Sequence, residues 1–175
     1  ETGPGHPVQT VTWYDAVKWA NAASEKDGLI PCYVVDGTTV YRTGNRDDVV
    51  CRWGVNGYRL PTEVEWEAAA RGGLIGKRFP TGDVTSLADA NYLTSTSLLY
   101  DSSGVDGYNP FYSSGPFPYT SPVGAFPPNG FGMFDMDGNV GQWTWNWDGA
   151  YTGGVDPKGP SSGTQRVCRG GDWQS

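Results

Sequence analysis

The sequence predicts an irregular, loop-rich α+β fold with two helices and short antiparallel strands. Three observations predict it. Two stretches, one from Thr12 to Lys26 and one opening at Thr62, combine an N-terminal capping residue with helical patterning. β-Prone pairs flank an Asp36-Gly37 turn. The 175 residues include 26 Gly and 13 Pro beside 8 Trp, 10 Tyr and 6 Phe, so turns and packed rings replace long regular elements.

The first helix is read from Thr12 to Lys26. Thr12 caps it and Asp15 lies in its first turn, where a carboxylate suits the helix N-terminus. Trp13, Ala16, Val17, Ala20 and Ala23 give one apolar face, and Gly28 is the stop. Tyr33-Val34-Val35 and Thr38-Thr39-Val40-Tyr41 then form a hairpin around Asp36-Gly37. Thr62 and Glu65 make a capping box that opens the second helix, which Ala68-Ala69-Ala70 continues and Gly72-Gly73 ends.

From Gly76 to Pro128 there is almost no periodicity. Long irregular stretches in compact domains are commonly functional or ion-stabilised. Tyr92, Tyr100, Tyr108, Phe111, Tyr112, Phe117 and Tyr119 argue against disorder and are expected to be buried. Further strands are expected at Gly132 to Asp135, at Val140 to Trp147 beyond an Asp137-Gly138-Asn139 turn, and at Arg166 to Arg169. No repeat or linker divides the chain. Residues 6–175 read as one domain, and 1–5 as tag or linker.

Charge excludes one class. Twelve Lys and Arg stand against 19 Asp and Glu, a formal net charge of −7, and no Lys/Arg run exists to neutralise phosphates. Nucleic acid is not an expected partner. No apolar run approaches the roughly 20 residues of a membrane span, so no membrane partner is expected either. The compartment is not readable from the chain's start; a secreted or periplasmic one is favoured. Cys32 and Cys51 either form a disulfide or stand as two separate buried thiols, and Cys168 is expected to be a buried structural thiol. His6 has no neighbouring ligand. Asp135 and Asp137 suit a turn or an ion better than glycoside hydrolysis.

An ordered set of motifs carries a family resemblance. His6-Pro7-Val8 through Trp13-Tyr14-Asp15-Ala16 comes first, then Tyr58-Arg59-Leu60-Pro61-Thr62-Glu63 through Arg71-Gly72-Gly73. Ala90-Asn91-Tyr92 follows, then Ser121-Pro122-Val123-Gly124 through Gly138-Asn139-Val140, and finally Arg166-Val167-Cys168-Arg169-Gly170-Gly171. In that order they resemble the formylglycine-generating-enzyme (sulfatase-modifying-factor) family, most closely its bacterial members. The resemblance implies a C-type-lectin-like fold stabilised by calcium. It also implies, for the family's enzymes, oxidation of a sulfatase cysteine to formylglycine by a cysteine pair that holds copper.

Carried onto this chain, the family's first calcium would be held by Asn91, Tyr92, Asp106 and Tyr108, with Asp101 a competing ligand; the alternative is that Asn91 and Asp106 cap turns. The second would be held by Asn139, Val140 and Gln142. There Gln142 stands for an acidic residue and Gly141 for a Trp, and the alternative is that Gln142 hydrogen-bonds within a closed turn. The family's first catalytic cysteine falls at Ser175 and the second beyond it. A hydroxyl does not replace a thiolate as a soft copper ligand, so copper is not expected in this chain and no catalytic residue is assigned. Two functions follow. One is a non-catalytic binding module, a pseudoenzyme, that presents Trp143, Trp145, Trp147 and Trp173 to a peptide or sugar, at least two of the four being expected in the core. The other is a formylglycine-generating oxidase seen as a fragment. In a lectin-like fold the chain ends pair in one sheet, so a complementing C-terminal fragment or second polypeptide is an expected partner.

Overall fold

The computed structural model describes residues 4–114, 117–151 and 153–175. Glu1-Thr2-Gly3, read as part of a tag or linker, and the side chain of Phe117 lie outside the described residues. Two helices, α1 (Trp13–Lys26) and α2 (Glu63–Arg71), are joined by short strands and long turns. Both begin with a complete capping box: Thr12 with Asp15, and Thr62 with Glu65. Each hydroxyl takes a backbone N–H inside the helix while the carboxylate takes the cap's own N–H, so two otherwise unmet donors are satisfied at each start.

Helix α1 packs on β1 (Tyr33–Val35), which pairs antiparallel with β2 (Thr39–Val40) and β3 (Val50–Cys51). The core here holds Trp13, Val17, Ala20, Tyr33, Val35, Tyr41 and Val49. Asn21 ties helix to sheet within it. Its amide donates to the carbonyls of Tyr33 (2.8 Å) and Tyr41 (3.0 Å) and accepts from the Tyr33 N–H (2.9 Å). A buried amide so fully bonded fixes the helix against the strand edge.

Cys32 and Cys51 are both buried and both free, so the disulfide alternative is not formed here. The register supplies a reason. Cys51 lies opposite Tyr33, and Arg52 N–H donates to the Cys32 carbonyl. The two cysteines are thus one step out of register, on opposite faces of the pleat. Cys168 is exposed rather than buried, on β7 (Arg166–Arg169).

Strand β6 (Gln142–Trp147) pairs antiparallel with β7 and packs against α2. One of its faces buries Thr144 and Asn146; the other carries Trp143, Trp145 and Trp147. Trp145 N–H donates to Pro61 O (2.8 Å) and Asn146 accepts from Glu63 N–H (2.9 Å), which anchors the start of α2. The end of α2 is held from another segment. The Asn129 amide donates to the Ala69 and Ala70 carbonyls (2.7 and 3.0 Å). Gly72, left-handed at φ +55°, lies so close to Gly130 that a Cβ on Gly130 would sit 2.3 Å from the Gly72 oxygen.

The expected strand at Gly132 to Asp135 does not form. Gly132 and Asp135 have positive φ, and Asn129 Oδ1 accepts the Phe131 and Met133 N–H groups. The segment is a side-chain-held turn. Conversely, β4 (Ser113–Ser114) and β5 (Phe117–Pro118) pair antiparallel inside the stretch expected to be irregular. Elsewhere that stretch is held by single bridges, Thr85 to Asp101, Thr94 to Gly107 and Asn91 to Gly138. Tyr92 is buried, but Tyr108 and Tyr119 are exposed and Phe111 is 88% exposed, contrary to the burial expected of these rings. The loops are held by polar side chains, so the rings are not all needed inside.

Candidate functional site

The three β6 tryptophans share a face but not a role. Trp145 stacks on Tyr33 (5.4 Å between centroids, 16° between planes) and packs on Trp13 and Trp53. It belongs to the core. Trp143 and Trp147 line a cleft of about 520 Å³ with Val11, Trp13, Tyr14 and Arg166. Trp143 is fixed by its indole N–H, which donates to Val11 O (3.0 Å). A second hollow of about 370 Å³ shares Tyr14 and Trp147 and adds Asp47. Trp173 stands apart, against Tyr108 at 6.1 Å.

Arg166 is the centre of the cleft. Its guanidinium lies 3.5 Å from the Trp147 ring centre and 3.7 Å from that of Trp13, and donates to Trp145 O at 2.6 Å. Its Nε is enclosed without a partner. Burial pushes this guanidinium down to about 10; it remains a cation at neutral pH. Across the cleft Tyr14 donates to Asp47 at 2.5 Å, a bond that raises the phenol's pKa. Cation–π contacts of this desolvated kind reach about 2 kcal/mol. The arrangement offers flat apolar faces, one fixed cation and one carboxylate. Tyr14, Asp47 and Arg166 were not readable as site residues, because only the fold brings them together.

The first calcium set falls on two paired segments. Thr94 and Gly107 exchange backbone hydrogen bonds (2.8 and 3.0 Å) in an antiparallel bridge, which sets Asp106 near Ser95 and Thr96 and leaves Asn91 farther along the chain. Asn91 is buried and donates to Tyr119 O (3.2 Å), while its own carbonyl accepts Asn139 N–H (2.7 Å). One Asp106 oxygen accepts the Thr96 N–H (2.6 Å) and hydroxyl (3.0 Å). Asp101 accepts from Tyr92, Ser95 and Ser103, so its oxygens are engaged in shaping the loop.

The second set is differently employed. Asn139 exchanges both amide bonds with the Ser121 backbone (3.0 and 3.3 Å). Gln142 accepts the Trp66 indole N–H (3.0 Å) and donates to Asp135 O (2.7 Å). The neutral amide thus joins two groups, one donor and one acceptor, that a carboxylate could not both satisfy. Among the described residues no three His, Cys, Asp or Glu side chains gather in a way that could hold a metal. His6 bonds Thr120 (3.0 Å).

Ser175 closes a turn. Its hydroxyl accepts the Asp172 N–H (2.9 Å) and donates to Asp172 O (3.3 Å). Cys168 packs over Gly141, where a Cβ would lie 2.7 Å from its sulfur. The residue is exposed, but its sulfur is partly desolvated, and this raises the thiol's pKa, which disfavours the thiolate that redox chemistry or metal binding needs.

The fold and the motif order define a class, and comparison with known proteins names it: the chain belongs to the sulfatase-modifying factor enzyme 1-like domain family, which matches residues 1–175. It is 33% identical over 186 residues to the chaperone protein LppX of Paenibacillus barcinonensis, covering 99% of this chain and 61% of that protein. It is 34% identical over 180 residues to the formylglycine-generating enzyme of Thermomonospora curvata, covering 97% of this chain and 45% of the enzyme. Variable protein 1 of Treponema denticola superposes with a TM-score of 0.74 at 30% identity, over 100% of this chain and 63% of that one. The chain therefore spans between about half and two thirds of the length of these relatives. No helix among the described residues is long and apolar enough to cross a membrane.

Proposed function

We propose that this domain uses the sulfatase-modifying-factor scaffold for binding, without thiol oxidation by its own residues, and that the Trp143–Trp147 cleft takes a peptide or sugar ligand. The observation that carries this reading is Ser175. At the position where the family resemblance implies the first catalytic thiol, the chain has a hydroxyl bonded back onto Asp172. That donor does not fit Cu(I), which selects thiolates. The cleft supplies the surface: aromatic faces held rigid by core packing, with a fixed cation in it and the Asp47 carboxylate in the adjoining hollow for orientation.

A second reading is the formylglycine-generating oxidase, with this chain as part of the enzyme. The similarity to the Thermomonospora curvata enzyme favours it, and taken alone the comparisons weigh toward it over a binding module. One assay separates the two. The protein is incubated with copper and a sulfatase-derived cysteine peptide, and aldehyde formation is followed by mass spectrometry. Turnover no higher than in a copper-free control is expected; turnover above it overturns the binding-only reading. In parallel, glycan and peptide arrays probed with the wild type and Trp143→Ala are expected to show a ligand that the variant loses by about tenfold.

Calcium is part of the proposal at the first set only. The Thr94–Gly107 bridge ties the segments that carry Asn91-Tyr92 and Asp106 to Tyr108 into one closed loop, and an ion there would take Asp106 as its anionic ligand. The bonds already made by Asn139 and Gln142 weigh against an ion at the second.

A further inference from the structure

The sequence holds no run of basic residues, yet the fold draws four of its 12 Lys and Arg into one cavity. The cavity measures about 260 Å³ and lies between α2, the 77–80 loop and the end of β7. Arg71 comes from α2, Lys77 and Arg78 from the loop, and Arg169 from β7. None of these four lines the Trp143–Trp147 cleft, so the site is separate from the one proposed above.

Two carboxylates, Glu67 and Asp137, line the same cavity; Asp137 accepts the Thr85 hydroxyl at 3.0 Å, and burial raises its pKa. Glu67 is shared, pairing with Arg71 at 2.6 Å and with Arg169. Lys77 pairs with Asp83 at 2.5 Å. Glu63 stands 3.7 Å from Arg169. Arg78 has no ion-pair partner among the described residues; its guanidinium lies 4.7 Å from the Tyr100 ring centre. The Nε of Arg169 is enclosed with no hydrogen-bond partner. Gathering cations in a hollow raises their mutual repulsion, and an anion in the hollow relieves it. Guanidinium groups are suited to oxyanions, which they grip through two parallel N–H donors.

The wall is not polar throughout. Trp66, Ala70 and Met136 form the second core cluster, and all three line the cavity. Phe79 and Pro80 add to it. An inorganic ion would leave these faces unused, whereas a flat or aliphatic body would cover them. We propose that this cavity binds a small organic oxyanion, its charged group held by Arg78 with Arg71, Lys77 and Arg169 around it, and its apolar body against Trp66 and Met136.

The test is a titration of the intact chain with phenyl phosphate, benzoate and inorganic phosphate at low ionic strength, read by isothermal calorimetry and by the Trp66 indole ¹H–¹⁵N signal. Saturable binding is expected for at least one aromatic anion below ~10 mM, with inorganic phosphate at least several-fold weaker. Arg78→Gln is expected to weaken it by about tenfold or more. Arg78→Lys is expected to fall between, because charge survives and the bidentate grip does not. Lys158→Gln, whose cation lies over Trp53, is expected to match the wild type. Absence of saturation for both aromatic anions overturns the proposal. So does equal affinity of wild type and Arg78→Gln in a folded variant, or an equal loss in Lys158→Gln. Inorganic phosphate binding as tightly as the aromatic anions would overturn the organic body's part in it.

Discussion

The side-chain oxygen of Gln142 accepts the indole N–H of Trp66 at 3.0 Å. The same amide donates to Asp135 O at 2.7 Å, so one neutral side chain joins β6, α2 and the turn before β6. The family pattern implies an acidic residue and an ion here. In this chain the amide's donor supplies a link that a carboxylate cannot make.

Gln142→Glu is therefore expected to do two things. Without calcium it sets a carboxylate against the Asp135 carbonyl and loses the donor, at a cost of about 1–3 kcal/mol. With calcium it regains a hard anionic ligand beside Asn139. Thermal unfolding in chelator and in millimolar calcium checks this. The variant melts below the wild type in chelator and shows the larger calcium-induced rise. Equal calcium shifts in the two proteins would mean that position 142 no longer faces an ion site.

Gly141, a second departure from the family pattern, packs against Cys168. A Cβ on Gly141 would meet the Cys168 sulfur at 2.7 Å, and the family pattern has a Trp at that position. The thiol occupies the space where a larger residue would begin. Gly141→Ala is expected to destabilise by about 1 kcal/mol through overpacking. Cys168→Ala in the same chain is expected to relieve most of that. A double-mutant cycle in denaturant reads the coupling, expected at about 0.5 kcal/mol or more; strictly additive effects would show that the two side chains do not compete for space.

The helices were legible because their signals are local. Thr12 with Asp15, and Thr62 with Glu65, lie within one turn of each other, and the structure forms both capping boxes. The turn that replaces the expected Gly132 to Asp135 strand was not legible, since Asn129 holds it while also capping α2. The candidate sites divide in the same way. Trp143 and Trp147 were readable as a strand face. Arg166 between Trp13 and Trp147 was not, and neither was a cavity built from positions 71, 77, 78 and 169. Such groupings depend on which segments meet, and spacing along the chain carries no record of that.

Glu65 gives the fold a pH dependence with a definite sign. Its carboxylate takes both terminal nitrogens of Arg59, at 2.7 and 2.8 Å, and the Thr62 N–H at 2.8 Å. The Arg59 pair, followed by the Thr62 bonds, lowers its pKa to about 2 in the folded chain, against partial burial. A carboxyl depressed on folding adds stability above its ordinary range, and loses it as pH falls through that range toward the folded value. The pair is partly exposed, so its contribution at neutral pH is expected at about 1 kcal/mol. Glu65→Gln keeps an acceptor for the cap but drops the charge. It is expected to unfold at lower denaturant than the wild type at pH 7. Because the wild type alone loses the ion pair on acidification, the gap should narrow steadily from about pH 5 to about pH 2. Urea titrations at pH 7, 5, 4 and 3 measure it. A gap that stays constant over that range would assign the effect to the uncharged cap hydrogen bond and not to the Arg59 pair.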